Sequence, residues 1–310
     1  MKFLVLILLI CFTTNGFTQT VQNLITKANE LSEDKKFDEA LVLYNKAVKL
    51  DTTHYQAYVR RGFLFNNMDE MQKSYDDYSK AISIQPDSAL AYHYRAILLF
   101  RMAYSDEAIY DNTKALEFAD NDSLRLMCFV NRGNAKQQKR DFQGAFEDFS
   151  RAYLLDTSNI GTLNNMATSM DELGRRDEAI RYFKQIIASD SSFIGAYVNL
   201  GFQYNKIGKY KEALDYFNKA LTIEKDEPLS LNNRGLTKYY LKDYTGALKD
   251  INKSISIYAG NAYAYKNRAL VYLAQDKKDM ACLDLQKAVE YEFTKVYGEE
   301  VNELQKKFCN

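Results

Sequence analysis

The chain has 310 residues, length for about two domains, and its 46% apolar content is enough for a substantial core. Lys+Arg and Asp+Glu balance at 41 each, which removes any whole-chain charge argument for a nucleic-acid or anionic-membrane partner. Two prolines, 13 glycines and 24 tyrosines with no tryptophan point to a long run of helices with aromatic packing.

The first element is "MKFLVLILLICFTTNGFTQT", with one lysine, an unbroken apolar run from Phe3 to Phe12, and then small and polar residues. That run is too short to span a bilayer and has the organisation of a secretory signal peptide. Gly16 and Thr18 supply small residues at the recognition positions, so residues 1–18 are expected to be removed after Thr18. A lipid anchor on Cys11 is disfavoured, because Ile10 stands where a small residue is wanted and Cys11 lies inside the apolar run. The expected destination is the periplasm or the extracellular space. No later segment is apolar enough to be transmembrane.

From residue 21 the chain repeats itself. Matching blocks begin at 21, 55, 89, 126, 160, 194, 228 and 262, and three extra residues fall in the "ADNDSLR" connection before the fourth. Position 4 is bulky (Leu24, Tyr58, Tyr92, Phe129, Leu163, Tyr197, Leu231, Tyr265). Position 8 is always Ala or Gly (Ala28, Gly62, Ala96, Gly133, Ala167, Gly201, Gly235, Ala269). Position 20 is small as well, and position 24 is usually bulky, as in Tyr44, Tyr78, Phe149, Phe183 and Phe217. Positions 4, 8 and 11 share one face of a first helix, and 20, 24 and 27 one face of a second. Small residues at 8 and 20 let the two helices approach, and stacked neighbours bury what one pair cannot. These positions and this period resemble the tetratricopeptide repeat over residues 21–295. The resemblance implies an all-α fold, a right-handed α-solenoid of eight helix–turn–helix repeats. The tail, residues 296–310, carries Val301, Leu304 and Phe308 at helical spacing and looks like a capping helix.

Position 7 holds a charge on a face that should be apolar. It reads Lys27, Arg61, Arg95, Arg132, Met166, Leu200, Arg234, Arg268, and position 23 reads Leu43, Asp77, Asp111, Asp148, Tyr182, Tyr216, Asp250, Asp284. Every repeat with arginine at 7 has aspartate at 23, and the two with Met or Leu have tyrosine. Five ion pairs within repeats are expected, bridging the two helices as structural staples rather than as a catalytic array.

Position 6 carries asparagine in five successive repeats: Asn131, Asn165, Asn199, Asn233 and Asn267. In proteins the chain resembles, position 6 lines the groove of the superhelix with positions 2, 5, 9 and 12. A carboxamide offers both a donor and an acceptor, which suits the backbone of an extended peptide. The competing reading is structural, with each asparagine bonding a neighbouring helix. Further groove candidates are Asn134, Asn164, Asn205, Asn232, Tyr239, Tyr263 and Lys266, and near the first repeats Arg60, His93, Tyr94 and Arg101, which would suit an acidic or aromatic ligand. Some repeats of this kind clamp a C-terminal carboxylate with cations. The nearest window here, Val130, Asn134, Asn165, Gly195 and Asn199, has none.

Three cysteines follow the leader. Cys282 and Cys309 are the candidate disulfide, both lying in the last repeat and its tail, and Cys128 is expected to be a buried small hydrophobe. With only His54 and His93, no metal-ligand spacing occurs, and no phosphate loop, nucleophile elbow or dinucleotide fingerprint is present. The expectation is a non-enzymatic, cofactor-free scaffold that binds a protein or peptide. The alternative is an envelope assembly component acting through its outer face or by end-to-end oligomerisation.

Overall fold

The computed structural model describes residues 19–294 and 298–309, so the expected leader lies outside the described residues. Among the described residues the only regular elements are helices, arranged as consecutive antiparallel pairs. The first four repeats are α1 (residues 19–33) with α2 (Phe37–Leu50), α3 (Tyr55–Asn67) with α4 (Met71–Ile84), α5 (Ala89–Arg101) with α6 (Ser105–Phe118), and α7 (Asp122–Gln138) with α8 (Phe142–Leu155). The last four are α9 (Ile160–Glu172) with α10 (Arg176–Ser189), α11 (Ile194–Lys206) with α12 (Tyr210–Ile223), α13 (Pro228–Tyr240) with α14 (Tyr244–Ile257), and α15 (Ala262–Ala274) with α16 (Lys278–Glu290). A short α17 (Glu300–Phe308) follows. The chain divides into two compact units, one ending at Thr162 and the other beginning at Leu163, within α9.

Each hairpin turns at the fifteenth residue of its repeat, which sits in the left-handed region: Lys35, Asp69, Ala103, Arg140, Gly174, Gly208, Lys242 and Asp276 all have φ between 60° and 79°. The Glu70 N–H then reaches back to the Phe65 carbonyl at 2.9 Å, closing the helix end as a Schellman turn. Side-chain caps open several helices, with Asp141 accepting from the Gly144 N–H and Asp243 from the Gly246 N–H, both at 2.9 Å. Pro228 occupies the first turn of α13, where its missing N–H costs nothing.

The three extra residues before the fourth repeat are helical rather than a longer connection. Asn121 accepts from the Leu124 N–H at 2.9 Å, and α7 gains a turn at its start. Leu124 packs there with Ala89, Ala115, Ala119 and Cys128, so burial pays for ordering the insertion.

Positions 8 and 24 meet in the pairs with glycine at position 8. A β-carbon on Gly133 would lie 2.7 Å from the ring of Phe149, and one on Gly201 the same distance from Phe217. Both rings are fully buried. The glycine is therefore the space into which the ring packs, and helix propensity is given up for that contact.

All five expected arginine–aspartate pairs are present and bidentate. Arg132 donates through Nε and Nη2 to Asp148 at 2.8 and 2.7 Å, and Arg61–Asp77, Arg95–Asp111, Arg234–Asp250 and Arg268–Asp284 repeat the geometry. The third donor, Nη1, goes to the preceding repeat. Arg61 reaches Asn45, Arg95 reaches Ser79, Arg132 reaches Thr113, Arg234 reaches Asn218 and Arg268 reaches Asn252, at 2.7 to 3.0 Å. Lys136 and Lys238 add second cations to Asp148 and Asp250.

After the last repeat, the Cys282–Cys309 disulfide, Val301 at zero exposure and the Lys266–Glu300 ion pair hold α17 against α15 and α16.

Two outcomes follow for stability. Asp148→Ala leaves Arg132 and Lys136 facing a cavity from which water is largely excluded, so it should lower unfolding stability by about 3–5 kcal/mol. Arg132→Ala should couple strongly to it in a double-mutant cycle read by chemical denaturation. Gly133→Ala should also destabilise, because displacing the Phe149 ring costs about 1–3 kcal/mol and exceeds the roughly 1 kcal/mol gained in helix propensity. An unchanged or raised denaturation midpoint would remove the space-filling account of position 8.

Candidate functional site

In the second unit, α11, α13 and α15 present their sixth residues along one face. Asn199 donates through Nδ2 to Asn164 Oδ1 at 2.9 Å, and Asn267 donates to Asn232 Oδ1 at 3.1 Å. Each rung joins position 6 of one repeat to position 5 of the repeat before, so part of the asparagine row serves the scaffold. At α13 the rung is missing, since position 5 of the preceding repeat is Val198. Asn233 is half-buried, and its carboxamide makes no hydrogen bond among the described residues.

Asn199, Asn232, Asn233 and Asn267 line one cleft of about 530 Å³. Its apolar walls include Phe202 from α11, Leu229 from α13 and Tyr263 from α15, and Leu229 is 52% exposed. The α14–α15 connection contributes Asn261. Asn165 lies at the equivalent position of α9, half-buried, and does not line this cleft. Asn131 belongs to the first unit and, like Asn233, makes no side-chain hydrogen bond among the described residues.

Several other expected groove residues are committed to the scaffold. Asn205 exchanges hydrogen bonds with Thr237 at 2.9 and 3.2 Å. Lys266 is buried and spends its charge on Glu300. Position 5 gave no hint of the Lys266 role, because a buried lysine becomes readable only once the tail is seen to bring a carboxylate to it.

In the first unit, Arg60, His93 and Tyr94 do not form one ligand-facing site, which corrects the expectation from sequence. Arg60 is exposed and lines a small hollow of about 110 Å³ with Gln22, Asn29 and Tyr55. Tyr94 is half-buried and packs between Tyr78 and Phe63 at ring separations of 5.9 and 5.5 Å. His93 is an interior residue at 3% exposure, with Nδ1 3.5 Å from the Cys128 thiol. Burial lowers its pKa to about 4 against a weaker opposing hydrogen bond to Asn112, so the ring is neutral. The Cys128 thiol is pushed up to about 12 by the same burial and is inert as a nucleophile. Arg101 is held by Asp69 at 3.1 Å.

Family models for the tetratricopeptide repeat match residues 55–88, 165–191 and 195–227. These residues carry the same spacing of small and aromatic positions that the structure shows in contact. The chain is a tetratricopeptide repeat protein. Among curated relatives, Anaphase-promoting complex subunit 3 of Schizosaccharomyces pombe is 25% identical over 52% of this chain and 24% of its own length. The DnaJ protein P58IPK homolog B of Oryza sativa subsp. japonica is 25% identical over 56% of this chain and 39% of its own. The tetratricopeptide repeat protein described here thus aligns with well under half of either relative. Its fold is shared with the APC/C Cut9–Hcn1 structure (TM-score 0.63, 18% identity, 93% of this chain and 56% of that one). It is shared also with YrrB, described as a TPR protein with an unusual peptide-binding site (TM-score 0.51, 22% identity, 61% of this chain and 95% of that one).

Among the described residues no group of three or more His, Cys, Asp or Glu is placed to hold a metal ion. Asp171 is a site residue that the repeat pattern did not single out. It is nearly buried and takes Lys206 at 2.8 Å, with Arg176 at 3.6 Å.

His93 makes the stability of this repeat protein pH-dependent. Its folded pKa of about 4 lies below the ordinary 6.5, so the unfolded chain binds the proton first. Stability should fall as pH drops from 6.5 to 4, by about 3 kcal/mol from this group. His93→Leu should remove that part of the slope when denaturation midpoints at pH 7 and pH 4.5 are compared with wild type, and an unaltered slope would contradict it.

Proposed function

We propose that the chain is an exported scaffold that holds an extended segment of a partner protein in the cleft of α11, α13 and α15. Tetratricopeptide repeats make it a protein–protein interaction scaffold, and the observation behind the finer reading is the unpaired Asn233 carboxamide among exposed apolar walls. An asparagine in this state supplies a donor and an acceptor at once, which matches one residue of extended backbone. YrrB, of the same fold, is described by its peptide-binding site, and the reading here rests on this chain's own side chains. No helix among the described residues is long and apolar enough to cross a membrane.

Export is supported by the apolar leader and by cysteine usage. Among the described residues two cysteines are cross-linked and the third, Cys128, is fully buried, a distribution suited to an oxidising compartment. The end-to-end assembly alternative draws less support, because α17 covers the last repeat.

Asn233→Ala tests the reading with little structural confusion, since no internal hydrogen bond is lost and stability should stay within about 0.5 kcal/mol. In a pull-down from envelope extract with quantitative mass spectrometry, the variant should recover the wild-type partner several-fold less well. Equal recovery with an intact fold would move the function to another surface.

A further inference from the structure

The cleft has a chemical signature beyond its asparagines: none of the residues lining it is charged. Two lysines that lie against its aromatic walls are already neutralised. Lys206 lies 4.7 Å over the Phe202 ring and is paired with Asp171 at 2.8 Å, and Lys266 lies 5.7 Å from the Tyr263 ring and is paired with Glu300 at 3.0 Å. An acidic ligand would have to displace the nearly buried Asp171 from Lys206 or Glu300 from the nearly buried Lys266, and a basic one would meet cations already stacked on the two aromatic walls.

Two buried polar atoms at the same cleft lack partners. Asn267 is 1% exposed, and while its Nδ2 binds Asn232, its Oδ1 accepts nothing. Asn261 is 8% exposed, and its Nδ2 donates to nothing. Unsatisfied buried groups are rare in folded proteins and are costly to keep, so an orphan acceptor and an orphan donor beside one apolar cleft call for a ligand that supplies the converse pair. A peptide backbone does so, with an N–H for Asn267 and a carbonyl for Asn261, and it needs no charged side chain.

We infer that this cleft selects an uncharged, extended segment bearing aromatic or branched apolar side chains, and reads its main chain through Asn267 Oδ1 and Asn261 Nδ2. The inference rests on the scaffold reading above and adds the chemistry of the partner. It separates this cleft from carboxylate clamps, which need free cations, and from sites for acidic or basic tails.

A random dodecapeptide phage library panned on the purified chain tests it. Enriched sequences should be depleted in Asp, Glu, Lys and Arg and should carry aromatic or branched side chains two residues apart or closer. The tightest enriched peptide, labelled and titrated by fluorescence anisotropy, should lose about tenfold in affinity to Asn267→Ala. Methylating one backbone nitrogen of the peptide should cost wild type a similar factor and cost Asn267→Ala nothing more. The methylation scan on wild type stands alone if the variant folds poorly. Enriched peptides that depend on a charge yet remain sensitive to Asn233→Ala would overturn the selectivity while leaving the cleft as the site. No enrichment over an unrelated immobilised protein, or binding indifferent to Asn233, Asn267 and Phe202, would overturn both.

Discussion

An arginine guanidinium joins three helices in five of the eight repeats and directs how those helices are set against one another. Nε and Nη2 hold the aspartate of the repeat's own second helix, and Nη1 holds a hydroxyl or carboxamide on the second helix of the repeat before. A planar fork imposes direction as well as attraction, which a lysine could not do. It fixes the rotation of each stapled first helix about its axis, with position 8 toward position 24 in α13 and position 6 toward the cleft in α13 and α15.

Much of this was legible from internal repetition alone. The Arg–Asp co-variation identified the pairs, because five copies of one environment within a single chain act as replicate observations. The third contact left a weaker trace. Position 25 is Asn45, Ser79, Thr113, Asn218 or Asn252 ahead of each arginine-bearing repeat and Lys184 precedes Leu200, but Ser150 precedes Met166. It escaped because the partner of Nη1 is offset by one repeat, so a comparison confined to single repeats cannot see it. His93 was misplaced for another reason. Position 5 lines the cleft as Val198 and Asn232 in the second unit, but at α5 the lengthened α7 brings Leu124 and Cys128 toward that side, and the imidazole is buried. An insertion changes what a position means locally, and composition carries no trace of that.

The asparagine row shows the same limit. Its members share a position and not a role. Asn199 and Asn267 each spend their donor on a neighbouring asparagine, while Asn233 faces a valine and spends nothing. What distinguishes them is the residue at position 5 of the preceding repeat. Carboxamide capacity is left over where the ladder is interrupted, at Asn233, and on the Oδ1 of the Asn267 rung.

The repeats without the staple clarify what it contributes. Met166 and Leu200 replace arginine in the fifth and sixth repeats, both buried, and beside Leu200 the Tyr204 and Tyr216 rings pack at 5.2 Å. The hairpin geometry is kept, so the ion pair is not required for the fold of a repeat. At Asp77 the single pair does not fully offset the cost of burial. Burial raises the Asp77 carboxyl, and the Arg61 contacts do not bring it back to the ordinary value. At Asp250 burial pushes the same way, but the hydrogen bonds and charges of Arg234 and Lys238 together outweigh it and hold that carboxyl low. A bare pair near break-even with an apolar contact is what buried ion pairs in general show, and its gain is orientational. Stapled repeats are fixed in rotation by directed bonds and apolar repeats by shape, and the second unit contains both beside its cleft.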